Sequence, residues 1–267
     1  MRSIKELMSL DGRVVLVTGG AGHIGAAMSE AIAEQGAAVV IADRDLAECE
    51  AVAARISGQG HGRCAWLEAD LLDESSTRGL VKRVLDKHGR LDGLIHSAAF
   101  VGTTVFPGWG VPFEQQSVAA WDAAFRVNLT SAFALVQEAA PALKETGNGA
   151  VVFIGSTYGL VGPDMSIYNG TAMANPAAYG ASKGGLMQLM RYLATVLAPY
   201  VRVNAITPGG VWRNQPEVFH ERYKQKTPLG RMATEEDFKG AAVYLMSDLS
   251  RYVTGHNLVV DGGWTTW

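Results

Sequence analysis

Cysteine is scarce in this chain: 267 residues contain two, Cys49 and Cys64, with no CxxC and no metal-like spacing. That excludes a disulfide framework and a cysteine-ligated metal centre, and suits a reducing compartment. The histidines at 23, 61, 88, 96, 220 and 256 are scattered without an HExxH pattern, so no metal site is expected. No apolar run is long enough to cross a bilayer. At the N-terminus, Ile4, Leu7, Met8 and Leu10 alternate with Lys5, Glu6 and Asp11, unlike the core of a signal peptide. The expectation is a soluble, cytoplasmic protein with no membrane partner. Excess charge of one sign is missing as well: 23 Lys and Arg stand against 26 Asp and Glu, with no basic stripe. Nucleic acid is therefore not expected as a partner. Repeats, low-complexity tracts and linkers are absent, and residues 1–267 are read as a single domain.

What the chain does have is Val14-Val15-Leu16-Val17-Thr18-Gly19-Gly20-Ala21-Gly22-His23-Ile24-Gly25. An apolar strand runs into a glycine-rich turn, and a helical pattern follows at once. Glycine lets the backbone turn sharply and approach a ligand closely, here Gly19, Gly22 and Gly25. The first N–H groups of the helix, around His23 and Ile24, can then hold a pyrophosphate. Asp43 closes the next apolar strand, near the spacing at which a carboxylate meets the ribose hydroxyls of a dinucleotide. Such a carboxylate repels a 2′-phosphate, so NAD is expected over NADP. Arg44 beside it offers a guanidinium to that phosphate, which leaves NADP use open.

Short apolar runs alternate with helical periodicity. Strands are expected at 14–18, 38–42, 64–68, 93–96, 150–155, 202–206 and 258–260. Helices are expected near 24–35, 45–57, 74–88, 119–145, 178–198 and 235–247. The fold class is α/β: a doubly wound, Rossmann-type parallel sheet of about seven strands with helices on both faces. Three irregular stretches, 100–117, 157–177 and 209–228, follow C-terminal strand ends, where ligands sit in such sheets. They are read as substrate loops. Gln115, Gln116, Asn169, Thr171, Asn214 and Gln215 within them are candidates to address substrate hydroxyls.

Tyr179 and Lys183 form Tyr-x-x-x-Lys on one helical face, after Asn175-Pro176 as helix entry with Asn as cap. An ammonium about 4 Å from a phenolate, in an effective dielectric near 20, attracts it by about 4 kcal/mol. That is enough to move a tyrosine from about 10 toward neutrality. Such a phenol can exchange a proton with an alcohol or ketone during hydride transfer.

In chain order, these residues resemble the short-chain dehydrogenase/reductase family over nearly the whole chain. The match comprises the Thr18–Gly25 turn, Asp70, Asn128 in Val-Asn-Leu, Ser156, Tyr179, Lys183, Pro208-Gly209 and the closing Val260-Asp261-Gly262-Gly263. The resemblance implies that Ser156 orients the substrate oxygen and Tyr179 is the acid/base. It implies that Lys183 holds the ribose and lowers the tyrosine pKa, with Asn128 supporting a water relay to Lys183. Asp70 and Leu71 would meet the adenine, Ala98 would lie beneath the cofactor, and Pro208, Gly209 and Val211 would border the nicotinamide. A homotetramer through 119–145, 178–198 and 252–267 is implied too.

Some positions depart from the family pattern. His23 gives Thr-Gly-x-x-Gly-x-x-Gly, the form of longer sugar-nucleotide epimerases and dehydratases, whose substrate domain this chain is too short to hold. His96-Ser97-Ala98-Ala99 replaces Asn-Asn-Ala-Gly, and Arg213 stands where a threonine often contacts the cofactor. The long Ser156–Tyr179 gap, Gly108–Phe113 and Gly209–Glu217 resemble oxidoreductases associated with nonulosonic-acid and flagellar sugar synthesis, which implies a carbohydrate substrate. The resulting expectation is an NAD-dependent oxidoreductase acting on a secondary alcohol or ketone of a sugar-like compound. An epimerase or dehydratase with internally recycled NAD, a reductase of 3-oxoacyl or other small carbonyl compounds, and a dinucleotide-sensing regulator remain alternatives.

Overall fold

In the computed structural model, described for residues 1–58, 60, 62–102 and 104–267, seven parallel strands run in the order β3-β2-β1-β4-β5-β6-β7. His61 and Thr103 of the expected 100–117 loop lie outside the described residues. The strands are β1 (Val14–Thr18), β2 (Ala38–Asp43), β3 (Arg63–Glu68), β4 (Gly93–His96), β5 (Gly149–Ile154), β6 (Val201–Pro208) and β7 (Asn257–Val260). Each lies within two residues of its expected bounds. Burial on both faces makes the apolar runs of β1, β2, β4, β5 and β6 continuous, while the edge strands β3 and β7 are partly exposed. Alternation then sends successive side chains to opposite sides. Val14, Leu16, Val40, Leu94, Val151 and Phe153 enter one core, while Val15, Val17, Val39, Ile41, Ile95 and Val152 enter the other.

The helices are α1 (Ile4–Met8), α2 (His23–Glu34), α3 (Leu46–Gly58), α4 (Glu74–His88), α5 (Val118–Phe125), α6 (Ser131–Glu145), α7 (Ala177–Val196), α8 (Glu217–Lys226) and α9 (Lys239–Met246). The first core packs under α4, α6 and α7 through Leu80, Val84, Leu135, Leu186 and Met190. The second packs under α2, α3 and α9 through Met28, Ile32, Val52, Ile56, Leu245 and Met246.

Three features differ from the expected pattern. The helix expected over 119–145 is interrupted by a π-helical turn at Arg126–Thr130. The segment expected as irregular over 209–228 contains α8. Near 235–247, a 3-10 turn (Glu235–Phe238) precedes α9. Strand order reverses between β1 and β4, and the turns after these two strands meet there. A Cβ on Gly19 would lie 2.5 Å from the Ala98 backbone nitrogen. In open α/β sheets such a switch point is where the ligand crevice opens.

Candidate active site

The glycine-rich turn is fixed by sterics. Gly19 has φ +65°, and a Cβ on Gly25 would fall 2.1 Å from the Gly19 carbonyl oxygen. Neither position tolerates a side chain without moving backbone. Gly22 occupies the N-cap of α2 and offers no side-chain cap, so the first N–H groups at His23, Ile24 and Gly25 face outward without one. Such donors at the positive end of a helix dipole fit a pyrophosphate. Asp43 ends β2, with Oδ1 accepting the Arg44 N–H at 2.8 Å. Asp70 is exposed at the end of the β3 turn, its Oδ1 accepting the Leu72 N–H at 2.9 Å, and Leu71 beside it is buried. Pro208 ends β6. Gly209 N–H donates to Val260 O at 2.9 Å, and a Cβ there would lie 2.8 Å from Asp261 Cα. Val211 is buried and bridges Ala233. These residues follow or end β1, β2, β3 and β6 at the C-terminal edge of the sheet, and their N–H donors and carboxylates are of the kind that a dinucleotide would need.

His96, at the end of β4, is fully enclosed. Its Nδ1 pairs with Thr18 Oγ1 at 2.8 Å, and its Nε2 lies 3.5 Å from Ser131 Oγ. Burial, with Lys183 nearby, holds its pKa down to about 3. The imidazole is therefore a neutral strut between β1, β4 and α6.

Asn128 sits in the π-helical turn with no exposed surface. Its Oδ1 accepts the Phe100 N–H at 2.7 Å and its Nδ2 donates to Ser182 Oγ at 2.9 Å. Both ends of the amide are taken, and its link toward Lys183 runs through the neighbouring Ser182. Lys183 is almost wholly buried. Its Nζ donates to Ile154 O at 2.7 Å, and burial pushes its pKa down to about 8. Ser156 begins the turn after β5, and its Oγ accepts the Tyr158 N–H at 3.2 Å.

Tyr179 corrects one expectation. Burial raises its phenol above the usual range, while the hydrogen bond with Ser156 and the charge of Arg213 pull it down. The Lys183 ammonium, one helical turn on, donates to the Ile154 carbonyl of β5. The helix entry is also corrected. Pro176 is the N-cap of α7 and carries no side-chain cap, and the Ala177 N–H is taken by Gln116 Oε1 at 3.0 Å from the 100–117 loop.

Several polar residues expected to face substrate brace the loops instead. Gln116 Nε2 donates to Val111 O at 3.3 Å. Gln215 accepts the Arg213 N–H at 2.7 Å and donates to Val211 O at 2.8 Å. Thr171 Oγ1 donates to Tyr168 O at 2.7 Å. Thr171 thereby braces an aromatic cluster: Ile167, Phe219, Tyr223, Met232 and Trp264 form a third small core, with Tyr168, Met173 and Trp212 against it. Tyr223 stacks on Trp264 at 4.1 Å and accepts the Gly210 N–H. Tyr158 and Tyr168 share a hydrogen bond of 3.0 Å between their hydroxyls. The sequence reading missed Tyr158, Phe219 and Tyr223. Only the i, i+4 spacing of Phe219 and Tyr223 in an otherwise polar segment hinted at them.

Among the described residues, one group of potential metal ligands comes together, Glu217, His220 and Glu221 along α8. His220 there stacks on Trp212 at 3.9 Å.

Residues 19–265 match the family described as Enoyl-(Acyl carrier protein) reductase. The chain is 34% identical over 259 residues to the cis-4-hydroxycyclohexanecarboxylate dehydrogenase of Sinomonas cyclohexanicum, covering 95% of this chain and 96% of that protein. It is 32% identical over 265 residues to the D-threitol dehydrogenase of Mycolicibacterium smegmatis, covering 96% and 94%. Its fold superimposes on the NADPH-dependent 3-quinuclidinone reductase of Rhodotorula rubra with a TM-score of 0.86 at 28% identity, covering 100% of this chain and 96% of the other.

Proposed function

The chain belongs to the short-chain dehydrogenase/reductase family and is an NAD(P)-dependent oxidoreductase of CH–OH and C=O groups; from that premise we propose that it interconverts a secondary alcohol and a ketone on a sugar or sugar-like substrate, with NAD preferred. The observation that carries this reading is the Tyr179 phenol at the start of α7, drawn down by the Ser156 hydroxyl and lying one helical turn before the buried Lys183 ammonium. Two O–H groups aimed at one place can hold a single substrate oxygen.

In the reductive direction Tyr179 gives its proton to the developing alkoxide, and Ser156 keeps that oxygen in line. In the oxidative direction Tyr179 receives the carbinol proton. Gly19, Gly22, His23, Ile24, Gly25, Asp43, Asp70, Leu71, Ala98 and residues 208–211 would hold a nicotinamide dinucleotide, which when bound would supply or accept the hydride. Lys183, cationic below about pH 8, keeps positive charge under the site and is the residue to hold the ribose. Asn128 steadies α7 next to it through Ser182.

Asp43 supports the choice of NAD, since its carboxylate repels a 2′-phosphate. Hydroxyls of Tyr158 and Tyr168 on an aromatic wall suit a substrate with both C–H faces and hydroxyl groups, and a D-threitol dehydrogenase among the relatives agrees. Exposed apolar residues on α5, α6 and α7 (Trp121, Phe133, Tyr192, Val196) and around β7 (Tyr252, Val259, Trp267) support a homotetramer.

The test is nicotinamide absorbance with NAD⁺ or NADP⁺ and a panel of sugars, activated sugars, polyols and hydroxyacyl thioesters. NADH formation with a sugar or polyol is expected, and net release of NADH would also set aside internal recycling. Turnover confined to thioesters would replace the substrate class, and a preference for NADP⁺ would overturn the cofactor choice.

A further inference from the structure

Three polar side chains around the start of α7 carry more hydrogen-bond donors than the chain gives acceptors. The turn after β5 lies directly on the first two turns of α7. A Cβ on Gly180 would fall 2.9 Å from the Tyr158 carbonyl oxygen, and one on Gly159 would fall 2.8 Å from the Lys183 carbonyl carbon. Tyr158 is thereby held beside Tyr179, with its N–H on Ser156 Oγ at 3.2 Å. Its hydroxyl reaches the Tyr168 hydroxyl at 3.0 Å, and the Tyr168 ring packs against Phe219 at 5.3 Å. Asn175 stands just before Pro176, whose carbonyl accepts the Tyr179 N–H at 3.0 Å. The Asn175 Nδ2 is enclosed and makes no hydrogen bond. Burial raises the Tyr168 phenol, and the nearby Tyr158 hydroxyl and Asn175 amide pull it back. Whichever tyrosine donates in the shared bond, the other O–H has no acceptor among the described residues, and neither do the Asn175 amide protons. Enclosed donors without partners are costly, and an acceptor completes them. A hydroxyl would bring one more donor, whereas a carbonyl or carboxylate oxygen brings lone pairs alone.

We propose that Tyr158, Tyr168 and Asn175 form a substrate subsite beside Tyr179 that takes an acceptor oxygen, in a carboxylate or amide that the substrate carries apart from its reacting carbinol. The inference rests on Tyr179 as the reacting group, and it narrows the sugar reading to sugars oxidised at a second position.

Two matched series test it: threitol, threonate and threonamide, and sorbitol, gluconate and gluconamide. Members of each differ only at one terminal group. Oxidation is followed as kcat/KM with the preferred nicotinamide cofactor. The wild type should favour a carbonyl member over the polyol of the same length about tenfold or more. Preference for acid and amide alike assigns a neutral carbonyl contact, and preference for the acid alone assigns a carboxylate. Asn175→Asp is nearly isosteric and exchanges the donor amide for an acceptor, so it should lower the carbonyl-to-polyol ratio about tenfold. Tyr158→Phe or Tyr168→Phe alone should lower that ratio only a few-fold, because the remaining O–H takes over. The double variant should lower it about tenfold. A wild type without preference for the carbonyl members, or variants that slow polyol and carbonyl members equally, would overturn the subsite. So would oxidation of some other alcohol but of no member of either series. Turnover that survives Tyr179→Phe, or no turnover with any alcohol, would overturn the reading beneath it as well.

Discussion

The two sides of the cleft are built by different means. The proposed cofactor side is built by backbone: Gly19 and Gly25 approach their neighbours so closely that no side chain fits, and α2 starts without a side-chain cap on its first N–H groups. On the substrate side, rings from three distant segments hold the wall. They are Tyr158 and Tyr168 after β5, Phe219 and Tyr223 on α8, and Trp264 after β7. The first construction admits almost no substitution. The second can be retuned one ring at a time, and the same scaffold can thereby change substrate without losing its cofactor.

The sharpest break is expected on the backbone side. Gly25→Val drives side-chain atoms into the Gly19 carbonyl, and NADH affinity should fall about 100-fold or more by fluorescence titration. Trp264→Ala probes the other side. Losing the Tyr223 stack should cost about 3 kcal/mol in urea unfolding and raise KM, with NADH binding within about twofold of wild type. Equal damage to NADH binding would erase the distinction between the two sides.

His96 is the buried side chain that ties β4 to Thr18 at the end of β1. Unfolded, its imidazole takes up a proton near pH 6.5; folded, it does so only near 3. Between those values the unfolded state binds more protons, so folding stability falls as pH drops from about 6.5 toward 3. His96→Asn should lose less stability than wild type between pH 8 and pH 5 in paired urea titrations. Parallel losses would mean that His96 is not the group responsible. The smallest effect is expected for Tyr158→Phe, which removes one hydrogen bond to Tyr168. About 1 kcal/mol of stability and a few-fold rise in KM should follow, with kcat barely moved.

Sequence legibility follows the same division. Strands buried on both faces write themselves as apolar runs, and a turn that excludes Cβ atoms writes itself as glycines at fixed spacing. The Ser156, Tyr179 and Lys183 positions could be singled out because, with the glycine-rich turn and Asn128, they fall in the chain order of the family that the sequence resembles. The direction of the Lys183 ammonium could not, because the Ile154 carbonyl that draws it lies on another element. Nor could α8, where Phe219 and Tyr223 are its buried residues among charged and polar neighbours. Gln116 capping α7 across sixty-one residues leaves no local trace either. The π-helical turn at Asn128 breaks a register that periodicity reads as one continuous helix.

The central claim is that Tyr179 carries the proton for a hydride transfer the cofactor side supports. Its most direct test is Tyr179→Phe with the alcohol that gives the fastest NADH formation, measuring turnover at 340 nm and NADH affinity on the same preparation. Turnover should fall about 1,000-fold, within the usual span for losing a general acid/base, while the NADH dissociation constant stays within about twofold. A variant that keeps more than about a tenth of wild-type turnover would show that another group moves the proton.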